Sequence, residues 1–481
     1  MADVDIAIIG GGLNGVCIAR DAAGRGLRTA LFEQGDLGSG AAIAAPHLMH
    51  GDFIDLERGR ARRVRAALAE RDAALRAGPH LVRPARFILP IHAEERPPAM
   101  LRAGLFFYDR LAGQSELPRP EILDLTIDEA GHPLKRSLGL ALAWSDCTVD
   151  ETRLLVLNAV DAAARGAVIH TGARCVWAER SDIWKLTILN RGRRESITAR
   201  ALVNASGGWT RQVAETVLHL PAVQASFAKI SQIVVRRMFD HDNVYVLQND
   251  DRRMIYAIPF HRDFTLIGLS ERNFDGDPAA VSAGSEDLAY LCTAASRYFR
   301  ERIGPADVLH AMAGCVADNR RDGFMKMNRR RSEAPLLTVV GGATTMARRR
   351  ASQALAKLIR FFAVLPPWTM GAPLPGGDFS HETFDDQIGD AYERWAFLDE
   401  RHARRLVAAY GTRIDRILGA AKSMDDLGPR FGDDLTGAEV RYLMKEEFAR
   451  FADDILWRRS KLGLTMSKRD RESLAAFMAA T

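Results

Sequence analysis

The apolar run DIAII (5–9) stops at Gly10, Gly11 and Gly12, and apolar positions resume at Val16, Ile18, Ala19, Ala22 and Ala23. A short apolar run closed by glycine reads as a buried strand, and the second group suits a helix ending near Gly24 and Gly26. TALFE (29–33) reads as a second strand that ends on Glu33. Two later stretches, ARALVNASGGW (199–209) and PLLTVVGGATTMARRR (335–350), are again apolar strands that break in small-residue turns. Near the C-terminus Val440, Met444, Phe448, Phe451 and Ile455 recur at spacings of four, four, three and four. That rhythm predicts one helical face, and the charges between its members mark it as core packing rather than a membrane-binding face. The proline- and glycine-rich PPWTMGAPLPGG (366–377) predicts a boundary before this helical region.

The first sixty residues carry a specific chemistry. Gly10-x-Gly12-x-x-Gly15, with Asn14 inside it, lies between strand and helix, and Glu33 closes the next strand. One glycine permits a tight turn, one lets a pyrophosphate approach the backbone, and one lets helix and strand pack closely. The free N–H groups of the helix start attract the phosphates. Glu33 suits the two ribose hydroxyls of an adenosine and repels a 2′-phosphate. The late strand at 199–209 matches, by analogy, the one that returns beside the pyrophosphate in two-dinucleotide-domain flavoproteins, which favours FAD over NAD.

Composition narrows the class. The chain has 481 residues, 47% hydrophobic and 26% charged, which predicts two or three domains with sizeable cores. Lys and Arg outnumber Asp and Glu by only five, and no aromatic-interleaved basic stretch occurs, so nucleic acid is not an expected partner. The mild surplus suits loose contact with an anionic membrane face. Five scattered cysteines without C-x-x-C pairs suggest neither disulfides nor a zinc site, and a reducing cytoplasm is the simplest setting. The opening MADVDIAIIG reads as a strand, not a signal peptide, and no apolar stretch approaches the ~20 residues of a membrane span.

With these elements in place the chain resembles the aerobic, FAD-dependent glycerol-3-phosphate dehydrogenases over nearly its whole length. Beyond DVDIAIIGGGLNG, the resemblance rests on AAGRGL (22–27), GLFFYDRL (104–111), SDCTVDETRL (145–154), YVLQNDDRR (245–253), LPGGDF (374–379) and ADDILWRRSKLGL (452–464). It implies an α/β fold: a glutathione-reductase-type FAD-binding domain, an α+β substrate cap and a C-terminal helical domain. The implied segments are 1–70, 141–215 and 335–375 for the FAD-binding domain, 71–140 and 216–334 for the cap, and 385–481 for the helices. The family oxidises glycerol 3-phosphate to dihydroxyacetone phosphate and passes electrons to membrane quinone. The resemblance thus implies FAD, a small-molecule substrate, and a cytoplasmic protein in peripheral contact with the inner face of a membrane.

The family's site motifs are where this sequence departs. The family has a Ser/Thr-rich turn ending in lysine, then His-Gly-Gly-Leu-Arg-Tyr-Leu-Glu; residues 39–57 here read SGAAIAAPHLMHGDFIDLE. Ser39, Gly40, His50, Gly51, Leu56 and Glu57 match. Hydroxyl positions are Ala41, Ala42, Ile43, Ala45 and Pro46, the lysine is His47, the second glycine Asp52, the arginine Ile54 and the tyrosine Asp55. Alanine and isoleucine offer no hydrogen bonds, and Asp52 and Asp55 are expected to repel a phosphate. Val316 takes the place of a second substrate arginine. The loop 319–335 carries Arg320, Arg321, Arg329, Arg330 and Arg331, which read as a solvated charge run. At the end of the strand 335–340, Gly341, Gly342, Thr345 and Arg348 match a flavin-binding turn, whereas Ala343 replaces a lysine, Met346 a threonine and Ala347 a tyrosine. In the helix that follows, Arg350 and Ser352 replace Leu and Glu. Three smaller motifs depart similarly: KISQ (229–232) has Gln232 for a histidine, GLSE (268–271) stands for Gly-Thr-Thr-Asp, and Gly207-Gly208-Trp209 for Gly-Pro-Trp.

These residues define the expected site. Gly10, Gly12, Asn14, Gly15, Glu33, Ser39, Gly207, Gly341, Gly342 and Thr345 are the candidates for holding FAD, its adenosine half more firmly than its flavin end. His50 is the candidate proton acceptor beside a substrate alcohol. Three functions compete: a family flavoprotein with glycerol-3-phosphate oxidation lost or impaired, an active FAD dehydrogenase on that or another alcohol or amine, and a non-enzymatic interaction protein.

Overall fold

The computed structural model describes residues 2–481 except 52–54, 57, 92–97, 114, 222, 252, 319–322 and 330–331. DIAII lies within the fully buried strand Val4–Ile9, at the centre of a mixed sheet. It pairs in parallel with Thr29–Glu33 on one side and Arg193–Asn204 on the other. Val168–Thr171 extends the parallel set beyond Thr29–Glu33, and Leu336–Val340 extends it beyond Arg193–Asn204. Strands buried on both faces read as continuous apolar runs, which is why these segments lack alternation. Helices Leu13–Gly24, Glu151–Ala164 and Ala347–Leu358 cover one face through Val16, Ala19, Leu155, Ala159, Ala351 and Leu355. The strands Ala173–Arg180 and Trp184–Asn190, continuing into Arg193–Asn204, form an antiparallel layer with Trp184 buried beneath it. Four strands of the sheet therefore end side by side, on Ile9, Glu33, Asn204 and Val340. Ligands of open α/β sheets bind in the crevice at such carboxyl ends.

A second, nine-stranded sheet stands over that crevice. Helix Ser285–Tyr298 packs on its far face with Phe239, Tyr245 and Phe299. Its near face, with Ile230, Val234 and Leu266, packs on the turn Ala41–Ala44 and the helix Ala61–Ala77. The C-terminal region has its own core, built by helices Phe384–Arg394, Glu400–Tyr410, Gly437–Glu446 and Lys468–Ala480. Among the described residues no helix is long and apolar enough to cross a membrane.

Three expectations need correction. The strand Leu140–Val149, assigned to the FAD-binding domain by a boundary at 141, belongs to the second sheet, where it pairs with Val82–Ile91 along its whole length. The segment 319–335 is not a plain loop. Phe324–Asn328 pairs antiparallel with Leu336–Val340, because Met325 and Met327 can pack against the apolar core on that side. The stripe from Val440 to Ile455 is not one helix: Gly437–Glu446 ends before Phe448, whose φ is +62°, and a wide turn resumes at Asp454. Val440 and Ile455 are fully buried, Met444 and Phe448 pack partly, and Phe451 is 70% exposed.

Candidate FAD and substrate site

Gly10, Gly12, Asn14, Glu33, Ser39, His50, Gly207, Gly341, Gly342 and Thr345 all line one cavity of about 1820 Å³ between the two sheets. Drug-sized ligand pockets span roughly 300–1,000 Å³, so this space suits a dinucleotide together with a substrate. Gly15 does not reach it and serves packing instead: a Cβ there would lie 1.9 Å from the Gly10 carbonyl oxygen. Gly10 has φ +110°, and a Cβ would stand 2.5 Å from the Ala205 oxygen. Nothing lies within 4 Å of a Cβ on Gly12, whose φ of −76° suits any residue. The protein itself therefore imposes glycine at 10 and 15 but not at 12. The open space at Gly12 leaves room for a ligand to approach the backbone closely.

The first helix begins without any side-chain cap at Gly12, leaving its early N–H groups facing the cavity. Glu33 is held by backbone alone: Gly11 N–H donates to Oε2 at 2.7 Å and Gly35 N–H to Oε1 at 2.8 Å. Burial raises its pKa, and those two donors act against the rise. Each oxygen keeps lone-pair capacity for a ribose hydroxyl. Asn14 Nδ2 donates to the Gly341 carbonyl at 3.2 Å, tying the phosphate helix to the turn after Leu336–Val340. These residues fit the adenosine and pyrophosphate of FAD without rearrangement of the backbone.

The far end of the cavity is held by a network that was not apparent in the sequence. Gly51 N–H donates to the Tyr108 hydroxyl at 2.8 Å, and Tyr108 donates to Asp146 at 2.7 Å. Trp144 Nε1 and Arg71 also donate to Asp146, at 2.8 and 2.6 Å. All four side chains are buried, so a carboxylate with three donors fixes the backbone beside His50. His50 itself lines the cavity opposite Tyr256, with ring centroids 6.3 Å apart. Tyr108 and Asp146 come from YDRL and SDCT, two of the stretches that carry the family resemblance. Their matching identities were a signal of importance, but not of their meeting.

Several substituted positions behave differently from the sequence expectation. Asp55 does not face an incoming phosphate: it is buried and pairs with Arg63 at 2.9 Å and Arg60 at 3.3 Å. Its charge is neutralised by arginines that follow it by one to two helical turns. His47, at the family's lysine position, does not line the cavity. Its Nδ1 lies 3.3 Å from the Val149 carbonyl, and burial brings its pKa down to about 4. Gln232, at a register shift in the second sheet, donates to the Ala45 carbonyl at 2.8 Å and so braces the alanine turn. Arg348 forms a bidentate pair with buried Glu70, which fixes helix to helix. Arg329 lies over the Phe361 ring, 5.7 Å from its centroid, away from the cavity. Val316 and Ala343 line the cavity wall as expected. Asp52, Ile54, Glu57, Arg320, Arg321, Arg330 and Arg331 lie outside the described residues.

Two groups went unrecognised in the sequence. Glu151 reaches the cavity from the start of its helix, accepts the Thr344 hydroxyl at 2.5 Å, and has its pKa pushed up to about 7 by burial. Arg350 reaches it from beneath the Gly341–Gly342 turn. The available signal for Arg350 was an arginine in place of the family's leucine; Glu151, next to an N-cap aspartate, occupies an ordinary first-turn position and carries no signal of its own.

The C-terminal segment is clamped onto this site by charge. Asp36, three residues beyond Glu33, pairs with Arg458 and with Arg459. Asp150, beside Glu151, pairs with Lys461, and Arg153 pairs with Glu447. Lys461 and its neighbours hold the carboxyl of Asp150 far below the usual range in spite of burial. The WRRSKLGL stretch thus supplies counter-charges to loops that frame the cavity.

Fold, cavity and glycine geometry define an FAD-dependent oxidoreductase. Residues 5–346 match the FAD dependent oxidoreductase family, and residues 368–480 match the C-terminal domain of alpha-glycerophosphate oxidase. A glycerol-3-phosphate dehydrogenase from Pseudomonas aeruginosa is 42% identical, over 98% of this chain and 94% of its own. A D-erythritol 1-phosphate dehydrogenase from Brucella abortus is 37% identical, over 98% and 97%. The crystal structure of a Bacillus halodurans glycerol-3-phosphate dehydrogenase complexed with FAD superposes with a TM-score of 0.77 at 21% identity, covering 99% of this chain and 94% of that one. The chain belongs to the FAD-dependent glycerol-3-phosphate dehydrogenase family, and its cofactor is FAD.

Proposed function

We propose that this chain is a flavoprotein in which the family reaction, glycerol 3-phosphate and quinone to dihydroxyacetone phosphate and quinol, is lost or severely impaired. The carrying observation is the cavity wall, which presents Val316 where the family pattern has a substrate arginine and Ala343 where it has the lysine of the flavin turn. Bound FAD accepts a hydride from an alcohol carbon; what this chain must add is a grip on the substrate and a base for its proton. His50, braced through Gly51 by the Tyr108–Asp146 network, is well placed as that base. The missing part is the phosphate anchor. The flavin end is held by fewer side chains than the adenosine end, because residues 41–46 carry no hydroxyl.

The FAD-binding domain is proposed to be assembled from 1–70, 141–215 and 335–375, the cap from 71–140 and 216–334, with 385–481 as the helical domain, amended by the strand Leu140–Val149 that the cap sheet takes. A cytoplasmic protein, peripheral on the inner face of a membrane and delivering electrons to quinone, follows by analogy with the family.

A second reading is favoured by one observation: Arg58, together with Arg63 whose charge is shared with Asp55, lines the same cavity as His50. Cations displaced from the family positions suit a phosphorylated polyol of different length, and the Brucella abortus relative is named for erythritol 1-phosphate. The test is anaerobic. The holoprotein is mixed with glycerol 3-phosphate or erythritol phosphate, and flavin absorbance is followed. Slow or absent bleaching with glycerol 3-phosphate is expected; complete bleaching within seconds would refute the impaired reading. Rapid bleaching with the longer phosphate alone would select the second.

A further inference from the structure

Among the described residues six arginines are buried: Arg20, Arg25, Arg71, Arg153, Arg350 and Arg459. Five of them hold a carboxylate, respectively Asp161, Asp21, Asp146, Glu447 and Asp36. Arg350 holds none. Its Nε donates to Asn14 Oδ1 at 2.8 Å, and its Nη2 to the carbonyls of Ala343 at 3.0 Å and Gly342 at 3.4 Å. Its Nη1 donates to no described residue. The residue is only 8% exposed, and it lines the cavity. A buried cation without a counter-charge is costly unless something supplies one.

We propose that Arg350 is a cofactor-binding residue, placed to receive a negative charge of bound FAD. Its partners locate it. Asn14 belongs to the first turn of the helix whose uncapped start faces the cavity, and Gly342 and Ala343 form the turn that follows Leu336–Val340. Arg350 joins these two stretches, between the places where the pyrophosphate and the flavin ring would lie. Both carry negative charge, the ring when reduced and deprotonated, and a positive charge near it tunes its potential. Arg350 thus supplies a cation about two helical turns beyond Ala343, where the family pattern has a lysine.

The internal rival is Glu151, which lines the same cavity with Oε2 unpartnered. It makes no ion pair with Arg350, and burial pushes it toward the protonated form. Burial also lowers the pKa of Arg350 itself, to about 10, as expected of a cation that lacks its anion.

The test uses the holoprotein and the variants Arg350→Leu and Arg350→Lys. Dissociation of FAD is measured by equilibrium dialysis and the fluorescence of released flavin. The midpoint potential is measured by dye equilibration, and ADP affinity by competition. Arg350→Leu is expected to weaken FAD by about ten- to a hundredfold, with Arg350→Lys within about threefold of the parent. A parallel loss for ADP assigns the contact to the pyrophosphate. Unchanged ADP affinity with a potential lowered by about 30 mV, which is tenfold for a two-electron couple, assigns it to the reduced ring. FAD affinity within twofold and an unchanged potential would overturn the proposal, as would an Arg350→Leu effect that vanishes in a Glu151→Gln background.

Discussion

The two ends of the cavity are built by different means. At the end proposed for the nucleotide, the features on offer are set by backbone: an uncapped helix, glycines whose hypothetical Cβ atoms would collide with carbonyls, and a carboxylate held by two N–H groups. At the substrate end, binding depends on side chains, and there Val316 and Ala343 stand on the wall. Backbone-built sites persist as long as the fold persists. Side-chain-built sites can be erased one residue at a time while every strand stays in place.

The strongest way to break this contrast is turnover with saturating glycerol 3-phosphate and a dye acceptor. Orientation supplies roughly 7–11 kcal/mol of barrier reduction, so forfeiting about 4 of these costs roughly three powers of ten in rate. A rate near that of family members would show that Arg58 and Arg63 serve as the anchor. Val316→Arg combined with Ala343→Lys is expected to raise flavin reduction at least tenfold, and Val316→Arg alone to leave FAD affinity unchanged.

Next in size is Lys461→Met. It leaves Asp150, whose side chain is 33% exposed, without its cation, and solvent screening keeps the cost below the roughly 3–5 kcal/mol of a fully buried pair. A lowered urea midpoint with an unchanged slope is the expected result; an unchanged midpoint would place this pair among the ornamental ones. Glu33→Ala sharpens the nucleotide side. Loss of charge-assisted hydrogen bonds to ribose, each worth about 1.5–3 kcal/mol, weakens FAD and ADP by at least tenfold. Equal loss for both ligands is required, because Glu33 lies on the adenosine side; loss for FAD alone would reassign it.

The smallest effect concerns pH. His47 has an ordinary pKa of 6.5 unfolded and about 4 in the fold, so the unfolded chain binds the extra proton between these values. Its contribution to stability is fully present above pH 6.5 and is lost as the pH falls toward 4. His47→Gln is expected to relieve about 1–2 kcal/mol of acid destabilisation at pH 5.5 and nothing at pH 8. Thermal unfolding at the two pH values measures this, and equal shifts at both would contradict the burial argument.

What the sequence disclosed follows the same division. DIAII, TALFE and the strands at 199–204 and 336–340 were legible because parallel strands buried on both faces are short and uniformly apolar. Glycine spacing disclosed the nucleotide end, since backbone geometry leaves its mark in residue type. Asp55 shows where such reading stops. Its charge suggested repulsion, but pairing with Arg60 and Arg63 depends on a helix start that composition does not fix. Phe448 shows a second limit: spacing alone continued a helix through a residue whose φ is positive. Arg350 shows a third: its place in the helix after the glycine turn was legible, but its bond to Asn14, 336 residues away, was not.

The pairing of Asp36 and Asp150 with Arg458, Arg459 and Lys461 has a consequence for biosynthesis. Chains fold largely from the N-terminus during synthesis, so both sheets can form while the last helices are still in the ribosome. The loop after Glu33 and the start of the Glu151 helix then hold carboxylates whose partners do not yet exist. They gain them only once residue 461 has emerged, so the nucleotide loop reaches its final shape at the very end of translation. A nascent product stalled before the WRRSK segment would display the glycine turn yet leave the carboxylates of its rim without these counter-charges.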